Sequence, residues 1–160
     1  SNIDLLTQYS IETKMSSREN HTLHIFFFPF LAHGHMIPTV DMAKLFAEKG
    51  VKTTVITTPL NAPFSSKAIG KFKTNHNEIR IETIKFPCAE AGLPDGCEST
   101  DSIRSPDLIQ PFLMATGLLQ EPLEQLLLKQ NPDCIVADMF FPWATDSATK
   151  FGIPRLAFHV

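Results

Sequence analysis

The sequence predicts an α/β protein built on a doubly wound, Rossmann-like parallel sheet, and three observations point there. Leu23 to Phe30 is an apolar run interrupted only by His24 and rich in phenylalanine, the pattern of a strand buried on both faces. Val51 to Thr58 is almost wholly β-branched and reads as a second strand, with a helix-period segment between the two. Strand-like and helix-like segments then keep alternating, the order of a parallel sheet with crossover helices. Such sheets take ligands at the carboxyl ends of their strands, so function is sought in the segments that follow strands.

Taken in order, residues 1–22 have no sustained period and are expected to be a disordered or non-native tail; Met15, followed by Ser16, Ser17 and Arg18, resembles a native start. Residues 23–160 then form a single domain. After the first strand, Leu31 to His35 is expected as a loop, with Pro38 at the first helical position. Val40, Ala43 and Phe46 give a helix from about Ile37 to Lys49, and Gly50 follows it. Ala62 to Lys73 repeats its apolar residues at helical spacing, weakened by Gly70. Ile79 to Phe86 gives a third strand. Pro87 to Arg104 has no period and is rich in Gly, Pro and Asp, a long loop of the kind that often carries function. Pro106 to Gln130 is helical in pattern, with Pro111 and Pro122 forcing a kink or a division. Asp133 to Asp138 is a short strand ending in a carboxylate, Trp143 to Phe151 a helix closed by Gly152, and Pro154 to Val160 a fifth strand.

Composition narrows the class. With 160 residues, 43% hydrophobic and 19% charged, the chain has material for one core and too little charge for disorder. Net charge is −3 and no dense basic stripe is present, against a nucleic-acid surface. The longest apolar stretch, Ile25 to Ala32, is far short of the roughly 20 residues that span a bilayer. Cys88, Cys97 and Cys134 lack CxxC spacing and fit reduced thiols, and with no basic n-region before an apolar stretch a cytoplasmic location is expected.

Two post-strand segments hold the chain's most suggestive polar residues. His35, beyond the first strand, has an imidazole able to sit in the ligand crevice and titrate near neutrality. Gly34 beside it permits a tight turn and close ligand approach. Asp138, ending the fourth strand, could accept the imidazole Nδ1 proton and fix its tautomer. It could equally be a helix N-cap before Phe141 and Pro142, and spacing leaves the two roles open.

The run from His24 through His33, Gly34, His35 and Pro38, followed by Asp41 to Ala47, is similar to the opening of plant UDP-glycosyltransferases. The likeness continues through Val55 to Asn61, Phe86 and Pro87, Gly92 to Glu98, and Asp133 to Trp143, and covers nearly all of Leu23 to Val160. Its details resemble the branch that glucosylates flavonoids, other phenolics and triterpenoids. The resemblance implies the N-terminal, acceptor-binding half of a GT-B glycosyltransferase. It also implies that the fragment lacks the C-terminal domain that mainly grips the UDP-sugar, and that alone it is inactive.

By the same resemblance His35 is the base that deprotonates an acceptor hydroxyl, with Asp138 its partner, and His33 has no such role. Phe140 falls at an acceptor-pocket aromatic, and Pro87 to Asp101 helps shape that pocket. Transfer is expected to be inverting, with a UDP-sugar as donor substrate, a hydrophobic small molecule as acceptor, and neither cofactor nor metal. Three other readings compete. A non-catalytic module or pseudoenzyme would only hold a hydrophobic metabolite. A metal hydrolase is suggested by His33-x-His35, but zinc needs three or four ligands and His76 and His159 are the only later histidines. A NAD-binding module would need GxGxxG in the first turn, which is absent.

Overall fold

The computed structural model describes residues 21–74 and 78–160; nearly all of the expected tail, and His76, lie outside the described residues. Five strands, β1 (His24–Phe28), β2 (Lys52–Thr57), β3 (Arg80–Thr83), β4 (Cys134–Asp138) and β5 (Arg155–Phe158), form one parallel sheet in the order β3-β2-β1-β4-β5. Helices α1 (His33–Glu48), α2 (Ala62–Ile69), α3 (Cys88–Ala91), α4 (Ile109–Gly117), α5 (Gln120–Gln130) and α6 (Ala144–Lys150) make the connections. From β1 the chain steps outward to β2 and β3, then crosses back to lay β4 on the other side of β1. The gap between β1 and β4 is therefore the place where the winding reverses, and its carboxyl end opens as a crevice.

All five residues of β1 are buried, because each face of the central strand meets its own core. Phe26 and Phe28 point into the cluster that holds Phe112, Leu123, Leu127 and Phe141 from the α4 to α6 side. Ile25 and Phe27 point into the other, with Ala43, Val55 and Val136, where Phe46 of α1 meets Phe27 edge-on at 5.7 Å. Each fully buried phenylalanine contributes roughly 1.5–3 kcal/mol, so the aromatic run anchors the sheet's centre.

Helix α1 starts four residues before the expected Ile37, at His33, and the expected loop through His35 is its first turn. Ala32 is extended, and its carbonyl already accepts the N–H groups of His35 and Met36 at 3.0 and 2.9 Å. Burial of Met36, Thr39 and Val40 draws that turn onto the sheet. Pro38 is thus not the first helical residue but lies inside the helix, where it withholds a donor from the exposed Gly34 carbonyl that water can replace.

Other boundaries moved for local reasons. Helix α2 ends at Ile69, short of Lys73, because Gly70 leaves the helix at φ 58. Strand β3 is only four residues long. Pro111 and Pro122 each fall third in their helices, in a first turn whose N–H groups have no partner to lose; the division comes between them at Leu118 and Leu119. The segment from Pro87 to Arg104 is not structureless: it holds α3, a left-handed Gly92 with φ 75, buried Leu93 and Cys97, and a 3₁₀ turn over Thr100–Ser102. Single-turn elements are too short to print a period. Among the described residues no helix is long and apolar enough to cross a membrane.

Candidate active site

His35 and Asp138 meet across the β1/β4 crevice. His35 is the third residue of α1, and its carbonyl is tied to Thr39 Oγ1 at 2.8 Å. Asp138 ends β4 with its side chain fully buried, and its Oδ2 lies 2.6 Å from His35 Nδ1. A carboxylate only accepts, so Nδ1 carries the shared proton and the neutral ring keeps its lone pair on Nε2. Asp138 Oδ1 accepts the backbone N–H of Phe140 at 3.0 Å, closing an Asx turn. Asp138 is not a helix N-cap, the alternative the sequence left open: α6 is preceded by Trp143 in that place, and the carboxylate instead divides its two oxygens between the turn and the imidazole.

The imidazole is flanked by two aromatic rings, Phe30 at 5.6 Å and Phe140 at 5.5 Å between centroids. It remains 22% exposed, and among the described residues Nε2 has no hydrogen-bond partner. That nitrogen is open to a ligand. The same Phe30 and Phe140 line a cavity of about 440 Å³, completed by Thr100, Ile103, Ile109, Phe112 and Leu113. Its wall is apolar apart from Thr100, whose N–H is held by the Leu31 carbonyl at 2.9 Å, so the pocket segment is stitched to the exit of β1. A histidine–carboxylate pair whose flanking phenylalanines also line an apolar cavity can take a proton from a hydroxyl presented by a hydrophobic molecule.

The other candidates fall differently. His33 stands apart from the pair: its ring stacks on Phe64 at 4.1 Å and 6°, and its N–H bonds Asp101 Oδ2 at 3.1 Å. Gly34 lies exposed within α1, not in a tight turn, and a Cβ there would meet nothing within 4 Å. No packing within the fold demands glycine there, and the surface above it is open. Of Pro87 to Asp101, only Thr100 lines the cavity. Among the described residues no three His, Cys, Asp or Glu side chains gather as metal ligands would. Cys88 and Cys97 are buried and Cys134 half-buried, all as thiols.

Sequence reasoning did not single out Phe30, Ile109, Phe112 or Leu113 as pocket residues. The 109, 112, 113 spacing marks one helix face, yet nothing in spacing tells a face turned to a cavity from one turned to the core.

No family model matches the chain. It is 58% identical over 137 residues to a scopoletin glucosyltransferase from Nicotiana tabacum, a match covering 86% of this chain and 29% of that protein. A solved structure of a Glycyrrhiza uralensis UGT complexed with glycyrrhetinic acid 3-O-monoglucuronide superposes with a TM-score of 0.69 at 35% identity, over 86% of this chain and 28% of that one. An Arabidopsis thaliana UGT complexed with UDP-L-rhamnose superposes with a TM-score of 0.74 at 26% identity, over 88% and 34%. The resemblance to plant UDP-glycosyltransferases, and the GT-B half-fold it implied, are borne out. The chain spans about 30% of the length of the curated relatives it matches.

Proposed function

We propose that the chain is the acceptor-binding part of an inverting plant UDP-glycosyltransferase, with His35 as general base and Asp138 as its partner. The observation that carries this reading is the 2.6 Å Nδ1 to Oδ2 bond, which leaves Nε2 bare on a ring flanked by Phe30 and Phe140, two residues that also line the apolar cavity. An acceptor lying in that cavity presents a hydroxyl to Nε2. As Nε2 takes the proton, the oxygen attacks the anomeric carbon and the bond to UDP breaks on the opposite face. Asp138 stabilises the imidazolium so formed and keeps the ring from turning its protonated nitrogen to the substrate. General-base help of this kind supplies roughly 10²–10⁴-fold; orientation and stabilisation of the departing diphosphate supply the rest.

The cavity's phenylalanines suit a flat phenolic, a flavonoid or a triterpenoid. A relative named for scopoletin and a neighbour holding a triterpenoid glucuronide support that range. The neighbour holding UDP-L-rhamnose supports a UDP-sugar donor, glucose in this reading, gripped mainly by sequence outside this chain. No metal takes part, and the setting is cytoplasmic. The test is transfer from UDP-glucose by the full-length protein to a panel of coumarins, flavonols and triterpenoids. A β-linked O-glucoside, inverted from the α-linked donor, is expected. No product across the panel with any UDP-sugar, or an α-linked product, would overturn the proposal.

A further inference from the structure

Arg155 opens β5, at the register of Ile135, yet its side chain reaches to the far end of β4. Nη2 donates to the carbonyl of Asp138 at 2.9 Å, to that of Phe141 at 3.2 Å and to that of Ala137 at 3.4 Å. Nη1 donates to Thr145 Oγ1 at 2.7 Å. One guanidinium thus ties together the last two residues of β4, the turn after it and the first turn of α6. That turn is the one whose backbone holds the Asp138 carboxylate through Phe140 N–H and places the Phe140 ring over His35.

Stability alone is a poor account of this residue. Its Nε is buried with no partner, a cost an apolar side chain at the same strand position would avoid. Burial also pulls its pKa below the usual arginine value, an effect the nearby Asp138 opposes. A planar fork is suited to collecting several carbonyls at fixed angles, which a lysine ammonium does less well.

We infer that Arg155 is a positioning residue for the His35–Asp138 pair: by clamping the carbonyls of Ala137, Asp138 and Phe141 it fixes the turn from which the carboxylate reaches Nδ1. The inference rests on the proposed glycosyl transfer for its kinetic consequence, but not for its structural one. Arg155 touches no reacting atom; it acts through Asp138.

The experiment pairs two readouts on Arg155→Met and Arg155→Lys. In the full-length protein, Arg155→Met is expected to lower kcat about tenfold or more, with the acceptor KM within about twofold, because misplacement of a catalytic group costs rate rather than binding. Arg155→Lys is expected to fall between it and the wild type. By NMR on the full-length protein, the hydrogen-bonded Nδ1–H resonance of His35 should be sharp in the wild type and broadened or lost in Arg155→Met, a signature that mere loss of stability would leave in place. A wild-type kcat, or an unchanged Nδ1–H resonance, in a folded Arg155→Met overturns the inference. Should that variant not fold, Arg155→Lys decides: wild-type kcat and resonance overturn it, and intermediate values support it. Full transfer by His35→Ala would instead overturn the proposed function, leaving the resonance to judge Arg155 on its own.

Discussion

Nδ1 of His35 lies 2.6 Å from Oδ2 of Asp138, a bond between residues 103 positions apart that the sheet topology alone brings together. β1 delivers one and β4 the other because the two strands are parallel neighbours, in register from Ile25 opposite Cys134 to Phe28 opposite Ala137. Both strands therefore end on the same rim.

Asp138→Asn in the full-length protein should lower kcat by about 10²-fold or more and change the acceptor KM little. The amide can still accept from Phe140 N–H and keep the turn, but it removes the charge that stabilises the imidazolium and can present a donor to Nδ1. Steady-state kinetics check this; an unchanged kcat would reduce Asp138 to a turn former.

His33→Ala should keep transfer within about threefold of the wild type. Its ring stacks on Phe64 with Nδ1 3.8 Å from Asp101 Oδ2, its backbone N–H bonds the same carboxylate, and none of the three residues lines the cavity. The substitution leaves the backbone bond to Asp101 in place and removes the exposed stack, worth about 0.5–1.5 kcal/mol, together with the exposed 3.8 Å contact of Nδ1 with Asp101 Oδ2. A loss as large as that of His35→Ala would contradict the site as built.

Phe140→Ala should raise the acceptor KM by about tenfold and lower kcat less. The ring is 49% exposed without a ligand and packs against Phe30 at 5.1 Å, so it is placed to be covered by an acceptor rather than by the core. Comparing KM for acceptors of increasing size would show the effect; equal KM values for variant and wild type would remove Phe140 from the pocket.

The pH dependence of folding has a source at the opposite rim. His24 is buried, its Nε2 bonded to Thr54 Oγ1 at 2.8 Å, and its pKa is lowered from 6.5 to about 4 by burial, with Lys52 adding to the shift, Asp133 opposing it and Arg80 adding a little. The fold holds the neutral ring, while the unfolded chain takes a proton below about pH 6.5. The contribution is therefore full above that pH and is lost as pH falls toward about 4, a loss on the order of a few kcal/mol. Urea midpoints of the wild type should fall over this window more steeply than those of His24→Gln. Parallel slopes would show that His24 does not titrate on unfolding.

The sheet was legible because β1 is aromatic on both faces and β2 is β-branched at every position after Lys52, signals that need no tertiary knowledge. The start of α1 was not: Pro38 imitates a first helical residue, and only the Ala32 carbonyl, taking two N–H groups as β1 ends, shows that the turn begins earlier. His35 and Asp138 could be named as strand-end residues, and the family likeness singled them out; their contact had to wait for the strand order. Arg155 gave no signal, because a residue that acts by gathering carbonyls from another strand leaves nothing in its own neighbourhood of sequence. The cavity was hidden for a related reason: Phe30 and Phe112 read as core, and are core on all sides but one.

The central claim is that Nε2 of His35 takes the acceptor's proton. It is tested most directly by His35→Ala and His35→Gln in the full-length protein, measuring glucosyl transfer from UDP-glucose together with acceptor binding by calorimetry. Transfer is expected to fall by about 10²–10⁴-fold while acceptor affinity stays within a few-fold. Transfer at the wild-type rate by either folded variant would contradict the account.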